Sequence, residues 1–169
     1  MDLTNLLRSI EALLFEVVSW LAFYPVTFWR CVRHPIEMMS YAEKQLEEPA
    51  ESQFNDTLAP PLFLFLTVLA AHLVELRSGP STFAGLLQDD RNLLLFRAVL
   101  FSLFPLAAAI QRVRQLGVPL SRVSLRPAFY SQCYLAAPFL MLIDLGGILA
   151  QLGPAYMVAA ILLNVVGAA

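Results

Sequence analysis

With 59% hydrophobic and only 14% charged residues in a chain of 169, the composition departs on both counts from the ~45–50% and ~25% usual for soluble domains. A mean hydropathy of +0.67 points the same way, and so few charges could not coat a soluble bundle of fully buried helices. The formal net charge of −2 leaves no basic surface for a nucleic-acid partner, and two cysteines are too few for a disulfide framework.

Residues 1–29 read as an amphipathic helix. Leu3, Leu6, Leu7, Ile10, Leu13, Leu14, Val17 and Leu21 recur every three or four positions, while Asn5, Arg8, Ser9, Glu11, Glu16 and Ser19 take the other side;. The helix is expected to lie in the membrane interface, because Glu16 deep in hydrocarbon would cost ~2.5–3.5 kcal/mol or more. Trp20, Phe23, Tyr24, Phe28 and Trp29 are the rings that collect at headgroup depth. The competing reading makes residues 12–31 an extra span, since the length suffices and a proline such as Pro25 is tolerated there. The start Met1-Asp2 is not that of a secretory signal, so no cleaved peptide is expected.

Residues 30–59 turn polar and acidic, with Glu37, Glu43, Lys44, Glu47, Glu48 and Glu51. A short helix entered at Pro35 and ended before Pro49 is expected, within a solvated connector on the membrane surface. Cys31 lies where S-acylation is conceivable or where a small apolar filler packs. Cys31 and His34 have a Cys-x-x-His spacing with no second pair, so no metal site is expected. The sequon Asn55-Asp56-Thr57 should be silent on the cytoplasmic side.

Residues 60–169 hold four apolar stretches, about 60–76, 92–110, 128–150 and 154–169, each close to the ~17–25 residues that cross a hydrocarbon core. The expected fold is all-α: a polytopic helical membrane bundle of four transmembrane helices preceded by the interfacial helix. Orientation follows from the positive charges. Arg8, Arg30, Arg33, Lys44, Arg112, Arg114, Arg122 and Arg126 fall on one side, and only Arg77 and Arg91 on the other. Short basic loops stay in the cytoplasm, which puts both termini there. The link Gln151-Leu152-Gly153-Pro154 makes the last two spans an antiparallel hairpin. Pro105 and Pro138 should bend their helices, with Ser102 at hand to satisfy a freed carbonyl.

Ionisable residues inside spans are functional candidates by default. They are His72, Glu75, Arg97 and Asp144, all within about 3–10 Å of the outer ends at 1.5 Å per residue. An Arg97–Asp144 contact with Glu75 or His72 nearby is expected. It holds the helices in register or, alternatively, belongs to a polar layer that passes a proton or small solute. Arg112, Arg114, Arg122 and Arg126, on a loop spanning 111–127, should attract an anionic cytoplasmic leaflet at ~1 kcal/mol per charge. No nucleophile elbow, phosphate loop or His-Glu-x-x-His helix is present, so no catalytic residue, cofactor or metal is assigned and an enzyme is not expected. A membrane-protein partner or a homo-oligomer remains open.

The amphipathic segment, Arg33-His34-Pro35-Ile36-Glu37-Met38-Met39, the acidic connector, Pro60-Pro61 and the closely spaced spans together resemble the Yip1-like small polytopic membrane proteins of bacteria, over residues 25–169. Some proteins of this shape are loosely called permeases. The resemblance implies a five-span helical bundle in a bacterial inner membrane, with the fifth span supplied by the N-terminal helix or missing. The Asp-Leu-Tyr-Gly-Pro motif of the eukaryotic members is absent, so their trafficking role is not implied and no functional residues transfer.

Overall fold

The computed structural model describes the backbone of residues 3–78 and 90–151 and the side chains of residues 4–74 and 95–146. The expected fourth span, 154–169, and the Glu75 side chain lie outside the described residues. Five helices form the described part, with no strand among those residues: α1 Leu3–Arg33, α2 Pro35–Gln45, α3 Pro60–Ser78, α4 Asp90–Gln115 and α5 Arg122–Gln151. The all-α expectation holds. Two stretches, Leu95–Gln115 and Arg122–Gly146, are long and apolar enough to cross a membrane, and α3 adds a shorter apolar run, Pro60–Val74.

Helix α5 is the centre, packing against α3, α4 and α2. Its buried face presents Cys133, Tyr134, Ala137 and Leu140 to Phe63, Leu64 and Val68 of α3. A second cluster closes the α4–α5 hairpin through Ala109, Val113 and Ala128. Ala109 and Ala128 let the two backbones approach closely;.

The hairpin turn corrects the expected loop over residues 111–127. Helix α4 continues through Gln115 and α5 begins at Arg122, so Arg112 and Arg114 end one helix while Arg122 and Arg126 begin the next. Hydropathy marks where hydrocarbon ends, whereas caps mark where a helix ends. Gly117, at φ 68°, takes the left-handed position after α4, and its N–H donates to the Arg114 carbonyl at 3.1 Å;. Ser121 caps α5, its Oγ accepting the Ser124 N–H at 3.1 Å;. Pro127 lies inside α5, past the first turn, and leaves the Val123 carbonyl without its i+4 donor.

Helix α1 also runs further than the expected 29 residues, continuing through Pro25 to Arg33. Residues 4–17 are exposed throughout. Its C-terminal half lies on the bundle through Trp20, Tyr24, Phe28 and Cys31. Cys31 is buried at 2% exposure, so it serves as the small apolar filler, with its thiol out of reach of S-acylation.

The connector is more tightly held than a solvated surface segment. Met38 and Ala42, one turn apart on α2, are buried because α2 seals this face onto α5. Thr57 and Leu58 are buried as well. Phe54 takes a positive φ of 56°. Its N–H donates to Gln45 Oε1 at 2.7 Å, and its ring meets those of Tyr41 and Tyr130 at centroid distances of 6.3 and 6.0 Å. Ser102 bonds the Val99 carbonyl at 2.8 Å, not the Phe101 carbonyl that Pro105 frees.

Candidate functional site

Three constellations stand out. The first is a polar junction that sequence reasoning missed. Tyr134 of α5 donates to the Leu58 carbonyl at 2.6 Å and shares a 3.2 Å hydrogen bond with Thr57 Oγ1. The Leu58 N–H donates to Thr27 of α1 at 3.0 Å. Thr57 Oγ1 is also 3.2 Å from the Tyr41 hydroxyl and gives its one proton to either phenol; Tyr41 donates to Asp56, and Asp56 pairs with Arg30 at 2.9 Å. One chain of hydrogen bonds therefore ties α1, α2 and α5 to the entry of α3. The Tyr41 hydroxyl and then Arg30 hold the Asp56 carboxyl below its ordinary value. Burial and the hydrogen bond to Asp56 push the Tyr41 phenol up to about 12;.

The second is the layer of ionisable residues on α3, α4 and α5. His72 on α3 and Arg97 on α4 are buried, at 5% and 2% exposure, and Asp144 on α5 is half-buried. Two contacts set their heights. The rings of Phe63 and Tyr134 meet at 5.9 Å, which places His72 about 13 Å and Asp144 about 15 Å further along α3 and α5 at 1.5 Å per residue. Arg112 donates to Ser131 at 3.2 Å; counted back along α4, Arg97 lies about 22 Å from that level, and Asp144 about 20 Å from it along α5. The three residues thus share one layer within about a helical turn. The layer closes one end of a groove of about 620 Å³ between α4 and α5, lined by Phe104, Leu135, Phe139 and Ile143 and reaching Asp144.

The third lies at the opposite end of the bundle. A cleft of about 600 Å³ between α2 and the α4–α5 hairpin is lined by Arg112, Arg122, Arg126, Glu43 and Glu47. Arg112 is engaged by Glu43 at 2.7 Å, and the Arg126 guanidinium lies over the Tyr130 ring at 5.3 Å. Arg114 lines a different recess, with Ala107, Ile110 and Gln111. The four arginines grouped by sequence therefore divide: three share a cleft and one faces elsewhere. Among the described residues no group of three His, Cys, Asp or Glu side chains could hold a metal ion.

Comparison with known proteins returned no match to any family model, curated protein or solved structure.

Proposed function

We propose that the chain is an integral membrane protein of structural or accessory kind, without catalytic machinery, related in layout to the Yip1-like bacterial proteins. In this reading α3, α4, α5 and the segment 154–169 span a bacterial inner membrane. Helix α1 lies along the interface, and both termini face the cytoplasm. The observation that carries the reading is an inverted distribution of polarity. His72, Arg97, Thr67 and Ser131 are buried, while Leu95, Val99, Leu103 and Phe104 on α4 and Phe139 and Ile143 on α5 are exposed. Water would reverse that arrangement, whereas lipid tails reward it. Only 28% and 39% of the two span-length windows is buried within the chain, against the near-complete burial of a soluble core helix.

Position of the basic residues supports the orientation. Arg30 pairs with Asp56 and Arg112 with Glu43, so the α1 end, the connector and the α4–α5 hairpin gather at one end of the bundle. That end would meet the anionic cytoplasmic leaflet. The alternative, a permease-like module working through His72, Glu75, Arg97 and Asp144, draws on the shared height of the three described members. It is the weaker reading because the groove reaching the layer is almost wholly apolar and offers a hydrated solute little to bind.

Alkaline extraction and site-specific labelling test the proposal. A Leu120→Cys variant places an exposed thiol on the hairpin, against Cys31 and Cys133, which are both buried. Retention of the protein in carbonate-washed membranes, with labelling only after the cytoplasmic face is opened, is the expected result. Release into the wash, or labelling from outside intact cells, refutes it.

A further inference from the structure

We infer that the cleft between α2 and the α4–α5 hairpin binds the headgroup of a monoanionic phosphodiester lipid, a phosphatidylglycerol-type amphiphile. The inference rests on the membrane reading above and goes beyond it by turning general attraction of the leaflet into a defined site.

Charge decides the ligand class. Of the ionised side chains lining the cleft, Arg112 and Glu43 neutralise each other at 2.7 Å. Arg122 and Arg126 are left against Glu47, one positive charge in excess, which a single phosphodiester balances. Arg122 and Arg126 stand four residues apart, on one face of α5. The contact of Arg126 with the Tyr130 ring, 5.3 Å away, holds its guanidinium in place. Guanidinium groups bind phosphate oxygens through paired N–H donors. Glu47 can accept hydrogen bonds from the free hydroxyls of a glycerol-type headgroup.

The surroundings distinguish a lipid from a soluble phosphate. Leu116 and Val123 form part of the lining yet are 67% and 83% exposed. Val118 and Leu120 between them are exposed too. A headgroup seated on the arginines would leave its acyl chains against this apolar rim, whereas inorganic phosphate would leave the rim uncovered.

The test uses the full chain in neutral detergent. Retention of phosphatidylglycerol and of phosphatidylcholine is measured by native mass spectrometry, with glycerophosphoglycerol and inorganic phosphate as soluble competitors. Phosphatidylglycerol should be retained over phosphatidylcholine by about tenfold, the scale set by one to two screened charges. R122Q/R126Q should abolish the preference, while R114Q, outside the cleft, should keep it. Both arginines of the double variant are exposed, and an unchanged Tm verifies its fold. Equal loss in R114Q would show mere surface charge and overturn the site. Competition by glycerophosphoglycerol or phosphate at concentrations matching the lipid would overturn the lipid assignment. Flotation on pure phosphatidylcholine vesicles reports on membrane residence alone: its loss sinks the parent reading, and flotation without headgroup preference sinks only the cleft.

Discussion

The hydroxyl of Tyr134, midway along α5, donates its proton to the carbonyl of Leu58, 2.6 Å away and 76 positions earlier in the chain. Both groups are buried. The bond seals the entry of α3 onto α5 at the point where Thr27 of α1 also meets Leu58. A short connector so anchored fixes where three helices start or end, and thereby the height of everything further along them.

Tyr134→Phe should therefore be costly for so conservative a change. It leaves the Leu58 carbonyl buried without its phenol donor, and an unsatisfied buried group costs about 1–3 kcal/mol. Thermal unfolding in detergent should show a clear fall in Tm. Thr57→Val, which removes the weaker 3.2 Å contact, should cost less. Equal Tm values for wild type and Tyr134→Phe would show that the hydroxyl does not hold the junction.

The same junction predicts sensitivity at both extremes of pH. Tyr41 has its folded pKa raised to about 12, above the ~10 of an unfolded tyrosine. Its contribution is thus complete below about pH 10 and disappears as pH rises through about 12. Asp56 has its folded pKa lowered, so its contribution is present above the unfolded value of ~3.9 and is lost as pH falls through the lower folded value. The Arg30–Asp56 pair is largely exposed, at 44% and 58%, and adds under about 1 kcal/mol. In an alkaline titration followed by tyrosine absorbance near 295 nm, Tyr41→Phe should lower the number of late-ionising tyrosines by one. An unchanged number would show that Tyr41 is not among them.

The buried layer predicts energetic coupling between helices. Arg97→Leu and Asp144→Leu should each destabilise by several kcal/mol, since a charge left behind in a low-dielectric setting is penalised. The double variant should recover part of the loss, with a coupling energy of about 0.5–3 kcal/mol. Unfolding in detergent measures the cycle. Strict additivity would show that the two residues, although level, do not act on each other.

Helical content, the apolar stretches of α3, α4 and α5 and the short helix after Pro35 are legible in the sequence because each has a local cause: apolar length, or a proline that suits a first turn. Hydropathy ends α4 too early, at 110, and starts α5 too late, at 128, because it follows the apolar stretch and not the caps, although Gly117 and Ser121 signal a stop and a start. The junction was not legible. Tyr134 and Leu58 are far apart in the chain, neither is unusual for its position, and nothing local announces their meeting. The sorting of Arg114 away from the other three arginines depends on helical phase relative to a neighbour, which charge counting does not register.

Those caps carry a prediction of their own. Ser121→Ala removes the oxygen that accepts the Ser124 N–H and should cost about 1 kcal/mol. Gly117→Ala meets no atom within 4 Å, so any loss must come from the backbone, which sits at φ 68°; a cost of about 1 kcal/mol is the expected scale. Denaturation midpoints of the two variants and their combination should fall additively if the caps act independently. An unchanged midpoint for Gly117→Ala would mean that the turn relaxes to negative φ.

Helix α1 offers the sharpest choice between lying on and crossing the membrane. Glu16 and Ser19 line a cleft together with Ala50, Gln53 and Asn55 of the connector, so this side of the helix faces the polar end of the bundle. Leu6, Ile10, Leu13, Leu14 and Val17 remain exposed, and a bilayer surface would cover them. An in-plane helix then keeps Glu16 at headgroup depth, where its charge is tolerated, whereas a spanning helix would carry it toward hydrocarbon. Single thiols at Glu16→Cys and Leu14→Cys separate the cases, since Cys31 and Cys133 are buried. A membrane-impermeant reagent applied to the cytoplasmic face should label position 16 readily and position 14 poorly. Protection of both positions, or labelling of position 16 only from the opposite face, would require α1 to cross.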